Sequence, residues 1–192
     1  MLIYLGLLAL VAILFVLVAT RPAEFRIERS VVVGASPQAI FSLLDDFRRW
    51  PEWSPYDKGD PSAQKSYAGP PSGAGSSFHY VSKKFGEGRM TVTESRPYER
   101  VALRGEFIKP FRNTTEIEFK LTRTGDGVSV TWAMAGRNNW IFKAFSLIAN
   151  MDTMVGKEFE KGLVDLKQVA EGGARSSPAD AAGMANSGSA LT

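Results

Sequence analysis

A long amphipathic segment near the C-terminal end most constrains how this chain can fold. From Asn138 to Glu171, apolar residues recur close to the helical period, which predicts one continuous helix with a single apolar face. The residues on that face are Ile141, Phe145, Ile148, Met151, Val155, Phe159, Leu163, Leu166 and Ala170. A helix of this length needs an equally long surface against its apolar face. The strands before it predict a curved sheet as that surface, with a space between sheet and helix.

The region before the helix has the alternating pattern of β-strands. A first strand is predicted over residues 25–33, and Ser36-Pro37 then opens two short helical pieces that end near Trp50. Six more strands are predicted between residues 64 and 136, separated by turns such as Gly125-Asp126-Gly127. Successive hairpins form an antiparallel meander. The predicted fold class is therefore α+β, with a curved antiparallel sheet wrapped around a long C-terminal helix.

The N-terminal residues predict a transmembrane helix. Residues 2–19 contain no charged side chain, and at about 1.5 Å per residue they make a helix of about 27 Å. A cleaved signal peptide is the alternative, but no basic side chain precedes the apolar run. Arg21, Arg26 and Arg29 follow it, which places the following domain in the cytoplasm by the positive-inside rule. The prediction is a single-pass membrane protein anchored through residues 2–19.

Composition sets the remaining boundaries. Residues 1–23 are assigned to the anchor and a short linker, 24–171 to one folded domain, and 172–192, rich in Gly, Ala and Ser, to a disordered tail. The net charge of +3 is dispersed along the chain, so nucleic acid is not an expected partner. With no cysteine and one histidine, neither a metal site nor a cofactor is expected.

Two side chains are weak candidates for acid–base chemistry. His79, the single histidine, lies on a predicted strand, on the face opposite to Phe78 and Tyr80. Glu94 shares the period-two face of Met90 and Val92, so a carboxylate is predicted on the apolar side. It would serve there as a polar anchor or an acid for a ligand. The other interpretation, which is favoured, is that Glu94 pairs with an arginine near the end of the strand.

The segment from Trp50 to Tyr56 holds three aromatic residues and two prolines in seven positions. Prolines keep such a segment stiff, and its aromatic rings need a surface to cover them. The rings either cap one end of the core or line the mouth of a pocket, and the first interpretation is favoured because buried aromatic rings mostly serve packing.

Several motifs, taken in order, are similar to one known group of proteins. They are Ser36-Pro37, Trp50-x-x-Trp53-Ser54-Pro55, Asp60-Pro61, Gly86-Glu87-Gly88-Arg89-Met90, Thr131-Trp132 and the pattern of Met, Gly, Phe and Leu between Met151 and Lys167. The chain resembles the helix-grip (SRPBCC) superfamily, which includes START lipid-transfer domains, polyketide cyclases/dehydratases and the birch-pollen allergen. It is closest to the bacterial polyketide cyclase/dehydrase-like branch. The resemblance covers nearly all of residues 25–171.

The resemblance implies a hydrophobic cavity between the sheet and the long helix. The side chains predicted to line it are Trp53, Phe78, Tyr80, Met90, Val92, Glu94, Phe107, Phe119, Trp132, Met134, Met151 and Val155. The expected function is membrane-anchored binding, and possible transfer, of a small hydrophobic or lipid-like molecule. Two alternatives stay open: a cyclase/dehydratase-like enzyme, and a protein-interaction module whose own side chains fill the cavity.

Overall fold

The computed structural model describes residues 2–138, 140–145, 147 and 150–175. Its helices and strands follow one another along the chain as α1 (Leu2–Ala19), β1 (Glu24–Val33), α2 (Pro37–Asp45), a 3-10 helix (Phe47–Glu52), α3 (Pro55–Gly59), β2 (Gln64–Ala68), β3 (Ser77–Ser82), β4 (Gly86–Arg96), β5 (Arg100–Lys109), β6 (Asn113–Thr124), β7 (Gly127–Arg137), α4 (Trp140–Phe145) and α5 (Met151–Arg175).

The seven strands form one antiparallel sheet in the order β1-β7-β6-β5-β4-β3-β2. Strands β2 to β7 are a continuous meander, and β1 pairs with β7 at the far edge. Alternate residues on β1, β6 and β7 point to the face covered by α5, as the period-two pattern requires. The predicted sheet and its covering C-terminal helix are confirmed.

The core lies between this face and α5. Phe159 of α5 stacks on Trp132 of β7, with ring centroids 4.0 Å apart and planes 9° from parallel. Phe119, directly opposite Trp132 on β6, is fully buried beside them. Leu163 and Leu166 continue the buried face of α5 toward α2. Burial of this face, at about 25 cal/mol per Å² of apolar surface, is the main force that holds α5 on the sheet.

Two glycines inside α5 allow the helix to approach the sheet closely. A Cβ atom at Gly162 would lie 2.8 Å from both Trp132 and Pro55. A Cβ at Gly156 would collide with the guanidinium of Arg29 on β1. Space for neighbouring side chains therefore explains why glycine, a poor helix former, stands at these two positions of α5.

Arg29 lies against the small surface left by Gly156 and binds α5 on either side of it. Its Nη2 is 3.1 Å from Asp152 Oδ2, and its Nε is 2.7 Å from Glu160 Oε1. Hydrogen bonds, first with Asp152 and then with Glu160, raise the pKa of Arg29. Asp152 thus links α5 to β1.

The single helix predicted from residue 138 is instead divided into α4 and α5. Asn150 begins α5 as its N-cap, because its side-chain oxygen accepts a hydrogen bond from the Thr153 amide at 3.2 Å. Asn138, where the predicted helix begins, precedes α4, and its backbone N–H donates to the carbonyl of Ala23 at 2.8 Å. Ile148 and residues 176–192 of the predicted tail lie outside the described residues. Helix α5 continues to Arg175.

The prediction of a transmembrane anchor, and with it a single-pass membrane localisation, is corrected. Within the described part of the chain, no helix has the combined length and apolarity needed to span a membrane.

Candidate functional site

A cavity of about 360 Å³ lies between one end of the sheet and the N-terminal half of α5. Pockets of about 300–1,000 Å³ with mainly apolar walls are typical of small-molecule sites. Most of the wall is aromatic or aliphatic. The lining residues are Phe25, Trp50, Ser54, Tyr56, Asp57, Ala63, Lys65, Phe78, Tyr80, Ser82, Phe85, Met90, Phe107, Asn113, Thr115, Ile117, Trp132, Met134, Asn138, Met151, Val155 and Phe159.

Glycines on the inner face of the sheet help to create this space. Gly105 and Gly136 lie on either side of Thr115 in one row across β5, β6 and β7. A Cβ at Gly105 would come within 2.9 Å of Thr115 Oγ1 and 3.2 Å of Met90 Sδ, and one at Gly136 within 3.0 Å of the Phe25 ring. The neighbouring side chains therefore lie over bare backbone, and the volume between them and α5 stays open.

Of the twelve side chains predicted for the cavity, eight line it. They are Phe78, Tyr80, Met90, Phe107, Trp132, Met134, Met151 and Val155. Trp53, Val92 and Phe119 belong instead to the packed core, where each is at most 1% exposed. Val92 and Phe119 share the inner face of the sheet with lining residues but sit toward the end of the domain where α2 and the 3-10 helix fill the space. Trp53, which follows the 3-10 helix, packs there against Phe119.

Glu94 points away from the cavity because β4 contains an irregularity just before it. Val92 pairs with Leu103, but Glu94 pairs with Ala102, so Thr93 is an extra residue. Such a β-bulge reverses the faces of the residues that follow it. Glu94 therefore joins the outer face, where its Oε2 lies 2.8 Å from Arg100 Nη1 and it also pairs with Arg96. The structure thus contains the arginine pairing that was the favoured interpretation of Glu94 from the sequence.

His79 also lies on the side of the sheet opposite the cavity. Its neighbours Phe78 and Tyr80 both line the cavity, so the alternation of β3 directs His79 outward. Its Nε2 is 3.2 Å from Glu87 Oε1 on the paired strand β4. Neither weak candidate for acid–base chemistry thus reaches the cavity.

The aromatic segment after α2 performs both of its proposed structural roles. Trp53 is fully buried and its indole N–H donates to the Leu43 carbonyl at 2.9 Å. Trp50 donates in the same way to the Leu44 carbonyl at 3.1 Å, but its ring also borders the cavity. Tyr56, further along, forms part of the cavity wall. The segment begins as a cap on the core and ends as one wall of the pocket.

The cavity also contains two charged groups that were not predicted from the sequence, Lys65 and Asp57. Lys65 lies on β2 directly opposite Tyr80 of β3, and its Nζ forms an ion pair with Asp57 of α3. Both side chains are largely buried, at 16% and 7% exposed. In the sequence, a lysine in a short polar strand resembles a solvated edge residue, and an aspartate three residues after Ser54 resembles a helix-capping residue. The one sequence signal for burial of Lys65 is that it shares a face of β2 with Tyr67, two residues further along the strand.

Burial shifts the ionisation of the polar groups around the ion pair. Desolvation lowers the pKa of Lys65 to about 8. Desolvation also raises the pKa of Tyr80 to about 12 and raises that of Tyr56 further, with a contribution from the nearby Glu158 carboxylate. At neutral pH both phenols are therefore uncharged, and Lys65 is mostly protonated.

Sheet, helix and enclosed cavity together define a helix-grip domain. The chain belongs to the polyketide cyclase/dehydrase and lipid transport family, whose model matches residues 24–171. This confirms the resemblance drawn from the sequence motifs. Among curated proteins, none matches the chain significantly.

Solved structures with the same fold are distant in sequence. The protein CV1439 from Chromobacterium violaceum is 15% identical with a TM-score of 0.55, and the match covers 79% of this chain and 99% of that one. The Aha1 dimer from Colwellia psychrerythraea is 17% identical with a TM-score of 0.56, covering 77% and 96%. The hypothetical protein jhp0584 from Helicobacter pylori is 12% identical with a TM-score of 0.59, covering 76% and 88%. At these identities the likeness shows the fold alone.

Proposed function

We propose that this protein binds a small, predominantly apolar molecule in the cavity between the sheet and α5. The observation that carries the proposal is the cavity itself: about 360 Å³ of space, walled mainly by aromatic and aliphatic side chains, with one polar region around Lys65. Transfer of such a molecule from water to an apolar wall is favourable by about 25 cal/mol per Å² of buried surface. Family membership supports this, since its description includes lipid transport.

The two other functions draw less support from the geometry. A core filled by its own side chains would leave no such volume. A cyclase/dehydratase-like enzyme would need an available acid–base pair facing the bound molecule. Glu94 and His79 lie on the other side of the sheet, and the charged groups that do face the cavity, Lys65 and Asp57, are paired with each other.

The test is native mass spectrometry of the full chain, purified without added ligand, with solvent extraction of any co-purifying molecule. A blocked variant, Val155→Trp, places an indole in the cavity wall. The matched control, Val164→Trp, puts the same change on the outer side of the same helix, where Val164 is exposed. We expect an apolar molecule with the wild type and with Val164→Trp, and none with Val155→Trp. Retention by all three would place the binding elsewhere, and an empty protein that takes up no added apolar compound would contradict the proposal.

A further inference from the structure

The charges around the cavity's polar region bear on which class of apolar molecule it accepts. Among the described residues that line the cavity, Lys65 is the cationic side chain and Asp57 the anionic one, and they are paired with each other. Lys65 Nζ also lies 5.3 Å from the centre of the Phe78 ring, so its remaining surroundings are largely aromatic. The lysine is therefore already neutralised before any ligand enters.

Other charged groups near the cavity do not add positive charge that would favour an anionic ligand. The Glu158 carboxylate on α5 helps to raise the pKa of Tyr56, so it contributes negative charge on the helix side of the cavity. Lys84 is exposed, 5.1 Å from the ring of Phe85, and water screens its charge. Tyr56 and Tyr80 offer uncharged hydroxyl groups beside the ion pair.

We infer that the molecule bound in this cavity carries an uncharged, hydrogen-bonding polar group, such as an ester, ketone or hydroxyl, and not a free carboxylate. This inference rests on the proposed function. A carboxylate entering the cavity would lose its hydration and meet a lysine already occupied by Asp57, leaving an uncompensated negative charge in an apolar space. An uncharged group meets no such penalty, and it accepts hydrogen bonds from the N–H groups of Lys65 that Asp57 leaves available, or from the tyrosine hydroxyls.

The experiment compares matched probes that differ only in the polar group. A cavity of about 360 Å³ holds the equivalent of about twelve water molecules at about 30 Å³ each, so methyl decanoate and decanoic acid are suitable in size. Binding to the full chain is measured by calorimetry near neutral pH, where the acid is ionised. We expect the ester to bind at least about tenfold more tightly than the acid, because a buried charged group left without a partner costs at least that factor in affinity.

The variant Asp57→Asn removes the internal partner of Lys65 and should largely remove the preference for the ester. The acid should gain about tenfold or more in affinity, while the ester changes little. The matched control is Asp165→Asn, which breaks the Lys58–Asp165 ion pair on the outside of α5 and should change neither affinity. Should Asp57→Asn not fold, Lys65→Met is used instead. There the acid must remain the weaker ligand, and acid binding equal to the ester would overturn the inference.

The outcomes separate the inference from the function on which it rests. If the wild type binds decanoic acid as tightly as methyl decanoate, the inference is wrong, but the cavity is still a binding site. If neither probe binds and nothing co-purifies with the chain, the proposed function fails and the inference fails with it.

Discussion

Exchanging glycine for alanine at two positions of α5 should produce opposite effects on stability. In an exposed helical position this exchange stabilises a helix by up to about 1 kcal/mol. At Gly172 the new methyl group meets no atom within 4 Å beyond its own helix, so the gain should appear, at about 0.5–1 kcal/mol. At Gly162 the methyl would lie 2.8 Å from Trp132 and from Pro55, closer than carbon atoms approach in folded proteins.

The steric cost at Gly162 should exceed the helical gain. Trp132 is stacked on Phe159 and Pro55 has a rigid ring, so neither yields without disturbing its neighbours. Overpacking of this kind costs about 1–3 kcal/mol, and subtracting the helical gain leaves a net loss of about 1–2 kcal/mol. Urea unfolding followed by tryptophan fluorescence measures both variants on one scale. If Gly162→Ala and Gly172→Ala both stabilise the protein, the close approach of α5 to the sheet is not as described.

Three further predictions concern buried or shifted polar groups. The Thr115 hydroxyl is buried without a hydrogen-bond partner among the described residues. Thr115→Val should therefore stabilise the protein by about 1–2 kcal/mol in urea unfolding. The control Thr131→Val loses a 2.8 Å hydrogen bond to Ser30 and should not stabilise it. Serine hydroxyls hold the pKa of Asp60 at about 2, below its unfolded value near 4. Its contribution to stability is therefore complete above about pH 4 and is lost as the pH falls toward 2. Asp60→Asn should flatten the fall in unfolding free energy at acid pH. Burial lowers the pKa of Lys65 to about 8, so above pH 8 the unfolded chain binds more protons than the folded one. The free energy of unfolding should therefore rise between about pH 8 and 9.5. Lys65→Met should abolish this rise, and the exposed control Lys58→Met should retain it.

Most of the sheet and the long helix could be predicted from local patterns. The alternation of Val128, Val130 and Trp132, and the stripe that includes Phe159 and Leu163, each require one apolar face, and a sheet covered by a helix satisfies both. The aromatic part of the cavity wall followed from the same patterns, because a residue's face on a strand is fixed by its position in the alternation.

The errors in prediction have local structural causes. Glu94 was assigned to the apolar side by counting from Val92, and one extra residue at Thr93 reversed it. The long helix was extended through residues 146–150 because apolar residues continued at helical spacing, whereas the cap at Asn150 begins a new helix. Apolar composition favoured a membrane span at α1, but no helix in the described part of the chain has the length and apolarity that a span requires.

By itself the sequence determined the fold family, the strand order along the chain and the apolar nature of the site, since these depend on patterns within single elements. The tertiary structure decided what is polar inside the cavity. Lys65 and Asp57 lie on separate elements, and neither carries a local sign of burial. Their pairing, and the space left above Gly105 and Gly136, arise only when β2, α3 and the sheet come together around α5. Contacts between distant segments are set by packing, and a local pattern contains no record of them.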